Sequence, residues 1–315
     1  MTLEMDKYMK GVTEIDAKKK LKQAEELLDD EAVHEFRSVL AKVRWPVSHV
    51  VPELAYAVSS LAQVSPQSLN WDHVRQLNLI VKTLKKVSDE GKAKIILPKI
   101  DIQNVVVVTA FDASFAKEPG MKSQAGFLTF LTTGDVARGD VPCALVELQS
   151  ATISRVVKST LASESASLST ALDRQLYLRL LVQSLLHGEP LFDPEWRHKM
   201  VVPGILITAA KSLYDRLNTT GKIPKERQTM IDLLVASDLI ESGALKLCWV
   251  PTMHMLADVL TKAMKPSEIY VKFRDEQRFS LVRTSEDQDK EQWRLQLRQG
   301  QRQRRKTRDK EKLQV

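Results

Sequence analysis

The sequence of 315 residues predicts an α/β fold, in which a mixed sheet flanked by helices follows a small helical subdomain. Apolar residues recur at i, i+3 and i+4 from Glu35 to about Val87, which indicates amphipathic helices. From Ile96 the pattern changes to short runs rich in β-branched and aromatic residues, which are typical of strands. Beyond residue 160, helical and strand-like segments alternate, and such links favour parallel pairing.

The first 95 residues are expected to be helical where they are ordered. Residues 1–30 are highly charged and predict one exposed helix or a frayed segment. The amphipathic stretches that follow are punctuated by Pro46, Pro52 and Pro66, which predicts several helices packed on one another.

Three strands are predicted next, at Val105–Phe111, Phe127–Thr133 and Ala144–Leu148. The short segments between them contain the Gly, Pro and Asp residues of hairpin connections, so the three strands should form an antiparallel meander. The rest of the sheet should come from strands that alternate with helices, connected by right-handed crossovers. We expect helices at Glu164–Leu186, 211–217, 226–241 and 256–264, and strands at Gly204–Ala209 and Leu245–Val250.

Charge and hydropathy exclude several classes of function. The net charge of +7 resides in residues 290–312, which carry ten Lys or Arg against three acids, while the remaining 37 basic and 37 acidic residues balance. The folded body is therefore not expected to attract nucleic acid by its net charge. No apolar run approaches twenty residues, and the chain begins with no apolar signal segment, so we expect no membrane association and an intracellular protein, cytoplasmic or nuclear. Cys143 and Cys248 share no metal-type spacing, which fits a reducing compartment.

Three carboxylates are placed where the predicted elements meet. Asp112 ends the first strand, Glu164 begins the long helix on the face that packs on the sheet, and Asp258 lies near the first turn of the last helix. A buried charge needs compensation, and a shared Mg²⁺ would supply it. Alternatively, Asp112 begins a turn and Glu164 caps a helix N-terminus. The pattern suggests a metal-dependent nuclease or phosphoryl-transfer site without establishing one.

Four segments resemble, in order, motifs of the ribonuclease H domain in Pol polyproteins of copia-type LTR retrotransposons. An upstream segment (36–63, FRSVLAKVRWPVSHVVPELAYAVSSLAQ) resembles part of the thumb and connection that follow the reverse transcriptase. The similarity covers about residues 36–265. The four motifs are TAFDASFA (109–116), SRVVKSTLASESASLSTALDR (154–174), TAAKSLYD (208–215) and VPTMHMLADVLTKAM (250–264).

The resemblance implies a ribonuclease H-like fold, a five-stranded mixed sheet with helices on both sides. In this family four acidic residues hold two Mg²⁺ ions that cleave the RNA strand of an RNA–DNA hybrid. The first, second and fourth acids correspond to Asp112, Glu164 and Asp258, which are the expected catalytic residues and metal ligands. The third falls on Ala209, which cannot bind a metal ion. We therefore expect a nucleic-acid partner, and activity that is absent or severely reduced.

The resemblance also suggests domain boundaries and leaves alternatives open. We expect a charged segment at 1–34, a thumb- and connection-like helical subdomain at 35–95, a ribonuclease H-like domain at 96–275 and a basic, disordered tail at 276–315. The alternatives to an active nuclease are a catalytically dead remnant that keeps some hybrid affinity, and a host-adopted interaction module.

Several basic residues are candidates for nucleic-acid contact. Lys211 and Lys262 could touch phosphates, although a solvated helix face suits each equally well. A cluster in the tail could bind nucleic acid without sequence specificity or act as a nuclear-localisation patch, and a solvated extension is an equally good interpretation. This cluster comprises Arg302, Arg304, Arg305, Lys306 and Arg308.

Overall fold

The computed structural model describes residues 1–16, 24–134, 136, 139–188, 200–218 and 226–281. Its N-terminal part is mainly helical, as the apolar periodicity predicts. The helices begin at residues that can cap them, since the Asp29 side chain accepts a hydrogen bond from the Ala32 N–H, and Asn70 and His73 form a capping box. The elements are β1 (Thr2–Glu4), α1 (Asp6–Lys10), α2 (Asp30–Val47), α3 (Ala55–Ala62), α4 (Trp71–Asp89) and β2 (Lys94–Ile96).

The prediction of one exposed or frayed N-terminal helix is wrong. Strand β1 pairs antiparallel with β2, so the first residues are held against the end of the helical subdomain. Helix α1 packs on α4, and its Met9 is fully buried. The buried residues Met5, Met9, Val12 and Ile15 recur every three or four positions, which is the spacing of a buried helix face. The prediction overlooked this spacing because it relied on the high charge content of residues 1–30.

The main sheet has six strands in the order β7-β6-β3-β4-β5-β8. Strands β3, β4 and β5 form the predicted antiparallel meander, and β6 and β7 continue the sheet in parallel, so the predicted mixed α/β sheet is confirmed. It has six strands where five were expected, because β8 extends its edge. The strands are β3 (Val105–Glu118), β4 (Lys122–Thr133), β5 (Val141–Thr152), β6 (Gly204–Thr208), β7 (Lys246–Trp249) and β8 (Arg278–Phe279).

Helices cover both faces of this sheet. On one face a core of leucines and alanines from α5, α6 and α7 packs on Phe111 and Phe127. On the other face the Phe130 ring contacts Phe273 and Phe279, with ring centroids 5.3 and 5.7 Å away. The helices are α5 (Thr160–His187), α6 (Lys211–Asn218), α7 (Arg227–Glu241) and α8 (Glu268–Glu276). No helix in these described ranges is both long and apolar enough to cross a bilayer.

The C-terminal end of the fold differs from the prediction in two ways. Residues 256–264 do not form an α-helix, because a fully buried 3₁₀ turn at Leu256–Leu260 ends at Thr261, whose φ of −122° and ψ of −7° are not helical. Helix α8 and strand β8 were not predicted, and the boundary drawn between 275 and 276 cuts through α8. Their burial depends on contacts of Phe273 and Phe279 with Phe130, which lies far earlier in the chain, on β4.

Two polar side chains fix α5 against the sheet. Arg179 is 1% exposed, and its Nε and Nη2 atoms donate to the Val202 and Ala244 carbonyl oxygens at 2.8 and 2.7 Å. One turn earlier, the Gln175 amide donates to the Ile205 carbonyl at 2.7 Å. Burial lowers the pKa of Arg179 to about 10, so the side chain stays charged at neutral pH. These bonds fix the middle of α5, the helix whose N-terminal part carries Glu164.

Candidate active site

The three predicted acids come together beside the middle of β3, each on a different element. Asp112 lies on β3, Glu164 in the second turn of α5, and Asp258 in the 3₁₀ turn Leu256–Leu260, here called the Asp258 turn. Their exposed fractions are 5%, 6% and 5%. The turn-and-cap alternative is wrong, because β3 continues through Asp112 to Glu118 and the α5 N-cap is Ser159.

Asp112 and Asp258 share the ammonium group of Lys262. Its Nζ atom lies 3.0 Å from Asp112 Oδ2 and 2.7 Å from Asp258 Oδ1, so the two carboxylates lie on either side of one cation. Burial, followed by repulsion from Asp112, raises the pKa of Asp258, and Lys262 opposes that rise. Burial acts to lower the pKa of Lys262, but the two carboxylates outweigh it and the pKa is raised.

Glu164 is buried near both of these acids, and their charges and that of Lys262 act on it. Burial, and then repulsion from Asp112, raise its pKa well above the usual value. Its Oε2 atom is buried and makes no hydrogen bond within the described part of the chain. A buried carboxylate oxygen that has no hydrogen-bond partner among the described residues and lies near two other acids is a feature of cation-binding sites, as well as a cost to stability.

Ala209 lies beside these acids. Strands β3 and β6 pair in parallel with Phe111 opposite Thr208, and the same register carried one residue further places Ala209 next to Asp112. The Ala209 carbonyl accepts a hydrogen bond from Trp249 Nε1 at 3.2 Å, which holds this segment against β7. Asp215 does not replace the missing acid, since it is half-exposed on α6 and pairs with Lys211 at 2.6 Å.

Close packing against a glycine brings the Asp258 turn to the sheet. Gly126 lies opposite Asp112 in the β3–β4 register. A Cβ atom at Gly126 would lie 2.6 Å from Leu260 Cβ and 3.0 Å from Thr261 Cγ2, so only glycine allows this approach. The Thr261 hydroxyl then donates to Asp112 Oδ2, which joins the turn directly to β3.

A short polar network also ties the turn to the helical subdomain. Ser150 on β5 donates through Oγ to the Leu260 carbonyl at 2.6 Å, and it accepts from the Gln124 amide at 2.8 Å. The same Gln124 amide donates to Ser59 Oγ on α3 at 3.0 Å. A continuous hydrogen-bonded path therefore runs from α3 across two strands to the Asp258 turn.

The donor set does not fit a two-ion magnesium centre as it stands. Ala209 supplies a methyl group where the resemblance requires a carboxylate, and two of the three acids pair with Lys262 instead. Within the described ranges, no group of three or more His, Cys, Asp or Glu side chains is arranged to hold a metal ion. The free oxygen of Glu164 is the one feature here that a cation would satisfy. Metal binding by Asp112, Glu164 and Asp258 therefore stays a prediction.

A cavity of about 300 Å³ lies between α5, α7 and the strands β4 and β5. Ser167, on its wall, donates to the Asp112 carbonyl at 2.8 Å, so the cavity adjoins the acid-bearing strand. Hydroxyl and amide groups line it together with apolar side chains such as Phe127 and Ile153, and Arg155 contributes a cation. Arg155 pairs with the buried Asp232 on α7. The polar lining residues include Gln149, Thr152, Ser154, Ser167, Ser169, Thr170 and Gln228.

Sequence reasoning found the acids but missed the groups that hold them. Lys262 was equally compatible with a solvated helix face, and Thr261, Gly126 and Ser150 carried no signal of their own. The spacing of Asp258 and Lys262 at i, i+4 was the available clue, although a local pair of that kind is usually a surface feature. The tail cluster of Arg302, Arg304, Arg305, Lys306 and Arg308 lies outside the described residues.

Comparison with known proteins gives likenesses among solved structures alone. No protein-family model matches the chain, and no curated protein matches it. A ribonuclease H1 from Halobacterium salinarum is 17% identical with a TM-score of 0.31, and the alignment covers 49% of this chain and 93% of the other.

Two further structures were solved with an RNA/DNA hybrid. The LC11 ribonuclease H1, isolated from compost, is 16% identical with a TM-score of 0.30, over 50% of this chain and 93% of the other. A foamy viral protease-reverse transcriptase is 12% identical with a TM-score of 0.43, over 84% of this chain and 28% of the other. Identities this low concern the fold and leave the activity to be tested directly.

Proposed function

We propose that this chain is a ribonuclease H domain of copia-type retrotransposon descent that binds RNA–DNA hybrids and whose Mg²⁺-dependent cleavage of the RNA strand is severely reduced. The observation that supports this most strongly is the gathering of Asp112, Glu164 and Asp258 from distant parts of the chain around Ala209. The ordered sequence motifs require this arrangement, since they place all four positions in one site.

The loss of activity follows from the chemistry of one position. A methyl group cannot bind a metal ion, and removing one carboxylate from a shared site weakens binding of a hard cation that depends on oxygen ligands. Hybrid binding does not depend on that carboxylate, because proteins recognise hybrids through backbone shape and 2′-hydroxyl groups. The cavity between α5, β4 and β5, whose lining includes hydroxyl and amide groups, supplies donors and acceptors on the face of the sheet that α5 covers.

Cleavage of a labelled hybrid in Mg²⁺ tests this function when the native chain is compared with Ala209→Asp and Ala209→Asn. The native chain and the Asn variant should cut at least about 100-fold more slowly than the Asp variant, a difference of roughly 2.7 kcal/mol in barrier height. The Asn variant controls for side-chain size, since it adds the same number of atoms without a charge. Equal rates in the native chain and the Asp variant would contradict the role given to Ala209, and no cleavage by either would show that more than one ligand has been lost.

The second candidate is a catalytically dead remnant that still binds hybrid, and the pairing of Lys262 with two of the three acids favours it. Fluorescence anisotropy with a labelled hybrid separates this candidate from a protein that has lost nucleic-acid binding as well. Binding of the hybrid in preference to double-stranded DNA of the same sequence supports both ribonuclease H candidates. Absence of binding leaves the host-adopted interaction module.

Deletion of residues 284–315 tests the predicted role of the basic tail. If the tail binds nucleic acid, the slope of log affinity against log salt concentration should become shallower on deletion, because fewer counterions are released. The preference for hybrid over duplex DNA should remain, since it belongs to the folded domain. An unchanged slope would assign the tail another role, such as nuclear localisation.

A further inference from the structure

The contact between Lys262 and the acids is unlike an ordinary surface pair. Lys262 reaches Asp258, four residues earlier, and also Asp112, 150 residues earlier in the chain. Both carboxylate side chains are only 7% exposed, whereas that of Lys262 is 29% exposed. The ammonium group therefore enters the acid cluster from the solvent side, which is the side from which a dissolved cation would arrive.

The Asp258 turn imposes this position on the lysine. The turn is 3₁₀ and stops at Thr261, whose hydroxyl donates to Asp112. The next residue, Lys262, consequently leaves the turn close to both carboxylates. Gly126 permits the close approach of the turn, so the contact is built into the backbone packing as well as the side-chain attraction.

The charge balance explains what such a lysine can do. The cluster contributes three carboxylates in a buried setting, and an uncompensated buried charge is strongly destabilising. A tethered ammonium group compensates part of that charge and is present at a high effective concentration. A divalent cation that entered the site would have to displace it, so each metal-binding event would carry the cost of breaking two short ion pairs.

We propose that Lys262 is the built-in counter-ion of the acid cluster, so that this chain folds stably without a divalent cation and binds Mg²⁺ or Mn²⁺ only weakly at that place. The proposal rests on the proposed ribonuclease H descent, which identifies the cluster as a former metal centre. The disagreement between the donor set and a two-ion site then has two parts, the methyl group of Ala209 and the pairing of the Lys262 ammonium group with two of the three acids.

Thermal unfolding and Mn²⁺ titration of the full chain test the proposal without any activity measurement. For the native protein, exchange of EDTA for millimolar Mg²⁺ should leave the melting temperature unchanged. Lys262→Gln should melt at a lower temperature in EDTA, regain stability in Mg²⁺, and bind Mn²⁺, followed by electron paramagnetic resonance, at least about tenfold more tightly than the native chain. Lys262→Arg keeps the cation and should behave as the native chain does. Lys265→Gln removes a nearby exposed lysine and is the matched control.

Tight Mn²⁺ binding by the native chain, together with a rise in its melting temperature in Mg²⁺, would overturn the proposal. Equal Mn²⁺ affinity in Lys262→Gln and in the control would also overturn it. If Lys262→Gln does not fold in EDTA, recovery of the fold on addition of Mn²⁺ supports the proposal, and failure to recover leaves the decision to the native titration. Hybrid affinity is measured separately on the same proteins, so that a loss of hybrid binding counts against the proposed function alone.

Discussion

Replacement of Arg179 by leucine is expected to lower the free energy of unfolding by about 2–5 kcal/mol. The guanidinium group donates to the Val202 and Ala244 carbonyl oxygens, and leucine leaves both without these buried donors. The guanidinium group also packs tightly against Gly204, where a Cβ atom would lie 2.8 Å from Arg179 Nη1. Leucine therefore leaves this space unfilled as well. Urea unfolding followed by circular dichroism measures the effect.

Arg174→Leu on the same helix is the control for this substitution. Arg174 pairs with Glu147, but its side chain is 50% exposed, so its loss should cost less than about 1 kcal/mol. If the two variants were equally stable, the hydrogen bonds of Arg179 would not be what fixes α5 against the sheet. A second readout is cleavage in the Ala209→Asp background, which should fall together with stability because α5 carries Glu164.

Replacement of Gly126 by alanine is expected to disrupt the acid cluster while leaving most of the sheet intact. The new methyl group would lie 2.6 Å from Leu260 Cβ, a distance that real Cβ atoms essentially never show, so the Asp258 turn must move. Overpacking of this kind costs about 1–3 kcal/mol. The displacement should separate Asp258 from Asp112, and cleavage gained by Ala209→Asp should be lost in the double variant.

Gly139→Ala provides the comparison, because a Cβ atom at Gly139 would meet no atom within 4 Å. It should leave the melting temperature and the cleavage rate of the Ala209→Asp background unchanged. Retention of cleavage in the Gly126→Ala double variant would show that the turn tolerates the added methyl group, and that its approach to β3 is not limited at this position.

The sequence predicted those parts of the fold whose signals are local. The runs of β-branched residues in β3 and the regular leucines of α5 define elements by their own periodicity, and the structure extends both without changing their type. The resemblance of the four motifs predicted that Asp112, Glu164 and Asp258 come together near Ala209, although they are far apart in the sequence. The strand β1 was missed because three residues at a chain end have no periodicity to measure.

Other features depend on contacts between residues that are distant in the chain. Residues 256–264 have the apolar spacing of a helix, yet packing of Leu260 against Gly126 selects a tighter turn. Arg179 lies among the leucines of α5, and the reason for its burial becomes evident only when the carbonyl groups of Val202 and Ala244 are brought beside it. The position of Lys262 was ambiguous for the same reason, because one of its two partners lies on β3.

The hydrogen-bonded path from Ser59 through Gln124 and Ser150 to Leu260 affects the design of shortened proteins that lack the N-terminal helices. A fragment that starts at residue 96 would retain Asp112, Glu164 and Asp258. It would lack α3, however, so the Gln124 amide would lose its bond to Ser59 and become exposed to water. If such a fragment were inactive, the cause could be displacement of the Asp258 turn as well as the missing carboxylate at Ala209. The function proposed for this chain therefore has to be tested with its N-terminal helices attached.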